Sequence, residues 1–225
     1  MTVFERAPGP RTILLTGLCG LAGALLLFAG DMLFFGRFGS GAEAVLAETT
    51  ARASTARLII GGAVAPFAGL GYLIGCAHLF WRLAPAPAWA RAGVTLGAAL
   101  LFLAGACVHA AWGAYALAIR AAATEPALAP LRDTIGGYTD VLFALAYAAG
   151  YPAAVVLFVL VAAGRTSWPR WTALVNPVLV KPLLETAGWI PAPLGAVLVG
   201  GGFNLAMAVF FAVSIATCGR RLTRL

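Results

Sequence analysis

The sequence predicts an all-α fold, a polytopic bundle of transmembrane helices. Composition is the first observation behind that reading: of 225 residues, 62% are hydrophobic and only 10% charged, with a mean hydropathy of +0.94. A soluble domain carries about a quarter charged residues. Second, the charge deficit is concentrated in stretches of about twenty residues, each long enough to cross a hydrocarbon layer about 30 Å thick as a helix. Third, no ten-residue alternation of apolar and polar side chains marks a β-barrel. Backbone groups in lipid must be paired within their own segment, so these stretches are read as helices. The whole chain, 1–225, is read as one transmembrane domain of six spans.

Span one, about 12–35, follows a short segment carrying Arg6 and Arg11 that resembles a signal-peptide n-region. Its apolar run exceeds the 7–15 residues of a cleavable h-region, so it is read as an uncleaved span. A polar segment, 36–57, follows, within which AEAVLAETTARASTAR is a candidate interfacial helix with a thin apolar face. Span two covers about 58–81, with Pro66, Tyr72 and His78, and RLAPAPAWAR leads into span three, about 92–119, with Cys107, His109 and Tyr115. Residues 120–137 form a polar connection. Span four covers about 138–163, with Asp140 near its start and Pro152 inside. The link GRTSWPRW places Trp168 and Trp171 at headgroup level.

Span five, about 172–190, is the weakest, since it holds Asn176, Pro177, Lys181, Pro182 and Glu185. Span six, about 194–217, contains GGGFN and precedes the basic tail CGRRLTRL. With the N-terminus inside, nine arginines fall on the cytoplasmic side (Arg6, Arg11, Arg82, Arg91, Arg165, Arg170, Arg220, Arg221, Arg224). Five fall outside (Arg37, Arg52, Arg57, Arg120, Arg132). The bias predicts both termini in the cytoplasm. An inverted repeat of two three-span halves is permitted by this topology but finds no residue-level match.

The net charge of +7 does not point to nucleic acid, because the arginines stand in ones, twos and threes at span ends rather than in a basic stripe with exposed aromatics. The four cysteines, Cys19, Cys76, Cys107 and Cys218, have no metal-ligand spacing and are read as small buried apolar side chains. Two GxxxG pairs, Gly71/Gly75 and Gly93/Gly97, allow close helix approach.

Function is sought among polar side chains inside the spans. An ionisable group at mid-membrane costs on the order of 2.5–3.5 kcal/mol on insertion scales, so each needs a partner, a watery cavity or the interface. The candidate ligand- or proton-binding residues are Asp31, His109, Asp140, Lys181, Glu185 and Asn204, with His78 and Asn176 secondary. Depth along the spans places Asp31, His109, Asp140 and Glu185 in the outer half, Lys181 and Asn204 near the midplane, and His78 and Asn176 toward the cytoplasm. Asp140 reads equally well as a helix cap, and Lys181 as a partner for Glu185 one turn away. The two histidines are too far apart in depth for a bis-imidazole haem site. No catalytic residue is assigned, no cofactor is expected, and the identity of any metal stays open.

The stretches AGDMLFFG, ARLIIGGAVAPFAGLGYLIGCAHLFW and PAPLGAVLVGGGFNLAMAVFF resemble a family of bacterial multi-span membrane proteins of no known activity. The resemblance implies a bacterial inner-membrane location and makes Asp31, His78 and Asn204 the positions to test first. Three functions then compete. One is a binding or transport protein for a small or lipid-like ligand reached from the outer leaflet, with the bilayer itself the other partner. The second is an accessory or structural subunit. The third is a metal-assisted intramembrane hydrolase, which needs three of Asp31, His109, Asp140 and Glu185 on one ion.

Overall fold

The computed structural model describes residues 8–36, 52–190 and 193–218. Among the described residues eight α-helices follow in order: α1 (Pro10–Phe35), α2 (Thr55–Ala63), α3 (Ala65–Arg82), α4 (Ala88–Thr124), α5 (Ala129–Ala162), α6 (Pro177–Glu185), α7 (Leu194–Gly200) and α8 (Gly202–Ala216). Short 3₁₀ turns occupy Pro126–Leu128, Arg170–Val175 and Thr186–Trp189, and no strand occurs among the described residues. Among the described residues, four helical stretches are long and apolar enough to cross a membrane: α1, α2 with α3, α4, and Pro126–Ala162. Much of their surface is apolar and outward-facing, as at Leu15, Leu25, Phe67, Leu96 and Val159.

Local chemistry sets the ends and breaks. Pro10 opens α1, where a missing N–H costs nothing. Ser54 caps α2 by accepting from the Arg57 amide. Pro66 cannot donate to the carbonyl one turn back, and the span made by α2 and α3 is interrupted at Val64. Arg57 closes the far end of α1, its guanidinium donating to the Met32 and Gly36 carbonyls at 2.9 and 3.0 Å. A cation there suits the negative end of the helix dipole.

Two predicted connections look different in three dimensions. Residues 120–137, read as a polar loop, are helical except at a tight turn, so α4 and α5 form one long hairpin. At 37 residues α4 is about 55 Å long, well beyond a hydrocarbon core of about 30 Å. Its alanine-rich end, AIRAAAT, explains the extension, since alanine is the best helix former. Conversely, residues 172–190 do not form one helix. They comprise a 3₁₀ turn, the nine-residue α6 and a second 3₁₀ turn. Pro177 starts α6, capped by Asn176, whose side-chain oxygen accepts from the Val178 amide at 2.9 Å. The sixth segment is likewise divided, at Gly201, into α7 and α8. Of the candidate interfacial helix, residues 42–51 lie outside the described part.

The bundle core is built on α1. Gly20 and Gly23 meet Gly75 and Gly71 of α3 so closely that a Cβ on Gly75 would lie 2.7 Å from the Gly20 Cα. The first GxxxG pair therefore makes the contact expected of it. Of the second, only Gly97 does, against Ala153 of α5, while Gly93 faces open space. Gly17 and Ile215 touch, so the start of α1 and the end of α8 lie at the same end of the bundle. Among the cysteines, Cys76 and Cys218 are buried as expected, whereas Cys19 is half-buried and Cys107 is exposed. A small side chain is cheap to expose toward an apolar surrounding, so burial was not required there.

Candidate functional site

One polar network runs through the middle of the bundle. Asp31, on the last turns of α1, has its Oδ2 accept from the Asn204 side-chain amide of α8 at 2.7 Å. The Asn204 Oδ1 in turn accepts from the Tyr72 hydroxyl of α3 at 2.8 Å. The other carboxyl oxygen, Oδ1, lies 3.4 Å from His109 Nδ1 on α4. His109 Nε2 is 2.9 Å from the Gly61 carbonyl of α2. Five helices thus each contribute one group. All four side chains are buried, with Asp31 the most open of them at 8%.

Small residues make the room. A Cβ on Gly30 would lie 2.5 Å from His109 Nε2, so the imidazole fits against α1 only because residue 30 is glycine. Phe34 then flanks the imidazole, ring centres 4.9 Å apart. Tyr72 is held flat against Phe102 at 4.2 Å and 7°. These contacts fix the side chains that carry the network, which a buried polar chain requires if every member is to stay paired.

The hydrogen-bond roles follow from the carbonyl. Gly61 can only accept, so His109 Nε2 carries a proton. Its Nδ1 then faces a carboxyl oxygen. A bare lone pair against a bare carboxylate in a dry site would be repulsive, so one proton lies between them, on either nitrogen or oxygen. The pair is neutral overall in both forms.

The network borders a cavity of about 200 Å³. Asp31, His109 and Asn204 contribute polar groups to its wall, and Lys181 of α6 also lines it. The remaining wall is aromatic and aliphatic, including Phe35, Trp112, Phe143, Tyr147, Val199 and Phe203. Trp112 Nε1 is buried and meets no hydrogen-bond acceptor among the described residues. Lys181 Nζ sits 5.2 Å from the centre of the Tyr147 ring.

The sequence-derived candidates divide accordingly. Asp31, His109, Asn204 and Lys181 come together around one cavity. Asp140 is exposed on α5 and does not line it; counting along the spans places it in the same half, but its helix presents it elsewhere. The Glu185 side chain lies outside the described part. Among the described residues no three His, Cys, Asp or Glu side chains gather as a metal site would need. Asn176 caps α6 and donates to the Ala154 carbonyl at 3.2 Å, tying α6 to α5.

His78 belongs to a second network at the other end of α1. Its Nδ1 lies 2.7 Å from the Ile13 carbonyl and its Nε2 2.6 Å from Ser214 Oγ, which also accepts from Trp168 Nε1 at 2.8 Å. Its ring rests on Gly17 as the His109 ring rests on Gly30. Thirteen residues of helix separate the two by about 20 Å. Tyr72, Trp112 and Ser214 were missed by sequence reasoning. Each is a residue type that a membrane helix uses for packing, and nothing in its local sequence says which way it points.

No curated protein and no solved structure matches the chain. A family match does cover residues 5–220, nearly the whole sequence, and the chain belongs to that family of unknown function, DUF6796.

Proposed function

We propose that this is a multi-pass protein of the bacterial inner membrane that binds a small or lipid-like ligand in the cavity beside Asp31 and His109, as a carrier would. The observation that carries the reading is the placement of a buried carboxyl–imidazole pair on the wall of a space large enough for a small organic molecule. Packing alone has no need for an ionisable pair next to a void, because such groups are costly away from water. The broken helices α6, α7 and α8 border the same space, as interrupted helices do at many membrane binding sites. Six crossings are supported by the adjacency of the α1 start and α8 end, with the broken segments making the last two passes. The arginine asymmetry supports a cytoplasmic face for that end. The hydrolase reading has less support, since it needs three of Asp31, His109, Asp140 and Glu185 on one ion and, among the described side chains, only Asp31 and His109 meet.

Gly105 offers the test. It lines the cavity, and a Cβ there meets nothing within 4 Å, so the backbone position accepts a side chain and Gly105→Phe adds a ring at the cavity wall. Native mass spectrometry of protein released from membranes is expected to find a small-molecule adduct on the wild type and none on the folded variant. Equal adducts on both, or none on either, would overturn the reading.

A further inference from the structure

The geometry points to an organic ammonium ion as the ligand, taken up in exchange for the proton shared by Asp31 and His109. This inference rests on the ligand-binding reading of the same cavity. Three observations favour a cation. Six aromatic residues line the space, Phe34, Phe35, Trp112, Phe143, Tyr147 and Phe203. Ring faces attract ammonium groups, and quaternary ammonium ligands are recognised in such aromatic surroundings. Asp31 supplies a carboxyl group at the polar end, with one good hydrogen bond from Asn204 and only a loose 3.4 Å approach from His109. Finally, the aromatic wall already holds an ammonium group of the protein's own, Lys181 Nζ over Tyr147.

Charge accounting links the ligand to a proton. In the empty site the pair carries one proton between Nδ1 and Oδ1 and is neutral. When an ammonium ion settles beside Asp31, that proton departs to water. Asp31 is left as a carboxylate paired with the ligand, whose positive charge offsets the repulsion between that carboxylate and the Nδ1 lone pair, and His109 as a neutral imidazole still donating from Nε2 to Gly61. The buried charge is the same before and after, so neither state leaves an uncompensated ion in a dry site. Among the described side chains, the other titratable or charged groups facing the pair are Tyr72 of α3 (through Asn204), Tyr147 of α5 and Lys181 of α6; α2 contributes the Gly61 carbonyl. Lys181 competes with the ligand for the same wall.

Benzyltrimethylammonium, its uncharged isostere neopentylbenzene, and phenylacetate separate the alternatives. None titrates near neutral pH, so any proton released comes from the protein. Titration calorimetry of the full chain in lipid nanodiscs, in two buffers of different ionisation enthalpy, counts that proton. The cation is expected to bind at least about tenfold tighter than the isostere and to release about one proton. Asp31→Asn is expected to abolish proton release and the cation's advantage while leaving neopentylbenzene binding in place, and Lys181→Met to tighten the cation. Equal binding of cation and isostere, preference for phenylacetate, or cation binding without proton release would overturn the exchange while leaving a ligand site. If Gly105→Phe alters the binding of none of the three, the ligand-binding reading falls with it.

Discussion

Two histidine networks sit at opposite ends of α1, and they begin from the same design. Each imidazole rests on a glycine of α1, donates to a backbone carbonyl and uses its second nitrogen to reach a polar side chain. From there they diverge. His78 ends in a closed chain with Ser214 and Trp168, all at most 1% exposed, in which every described donor meets an acceptor. His109 ends at an ionisable carboxyl group that borders a cavity. The difference separates a closed polar network from one that holds an ionisable group beside a space. A hydroxyl and an indole N–H close the first network without charge, whereas the second ends at a carboxyl group on a cavity wall.

The sharpest way to break this comparison is to delete each imidazole. His78→Ala leaves a hole in a fully packed region and strips Ser214 of a partner, and is expected to destabilise the protein by about 3 kcal/mol. His109→Ala merely enlarges a space that already exists, where water can replace the ring, and is expected to cost about 1 kcal/mol. Thermal unfolding of both variants in one detergent measures the gap. Equal losses would mean that the His109 network is as structural as the other.

Two smaller changes sharpen it. Trp168→Phe keeps the ring but removes the donor to Ser214, with an expected loss of about 1 kcal/mol and no change at the cavity. Asp31→Asn is expected to shift stability by no more than about 0.5 kcal/mol. Its carboxamide oxygen still accepts from Asn204 and its NH₂ donates to His109 Nδ1, reproducing the arrangement with the proton on Asp31. A large loss in this variant would instead place a carboxylate against an imidazolium in the resting protein.

Hydropathy makes the four long spans legible because length and lack of charge are properties of the chain itself. Depth along those spans also brings Asp31 and His109 into register, with Asn204 nearer the midplane, and insertion cost marks the two ionisable groups as residues that need partners. Direction is what the sequence lacks. Counting along the spans assigns Asp140 the same half as Asp31, yet its position on α5 leaves it exposed, and a hydropathy profile holds no record of that rotation. Tyr72 and Ser214 look like ordinary packing residues until their helices are docked. The broken segments, 172–190 and 193–202, carry their signals openly in Asn176, Pro177, Pro182 and Gly201, but prolines and glycines announce a break without giving the angle beyond it.

The smallest expected effect is spectroscopic, and it isolates the two networks at the level of single protons. The Ile13 carbonyl only accepts, so His78 carries its proton on Nδ1 and its Nε2 lone pair accepts from the Ser214 hydroxyl. Trp168 then donates to the same Ser214 oxygen, which accounts for every polar atom in that chain. The Gly61 carbonyl imposes the opposite arrangement on His109, whose proton sits on Nε2. The neutral tautomers should therefore be Nδ1–H for His78 and Nε2–H for His109 in the Asp31→Asn variant, where no shared proton blurs the second site. Imidazole ¹⁵N spectra of that variant, assigned with the single His→Ala proteins, distinguish the two forms. The same tautomer at both positions would show that one of the backbone carbonyls does not hold its ring, and the symmetry between the two ends of α1 would be lost.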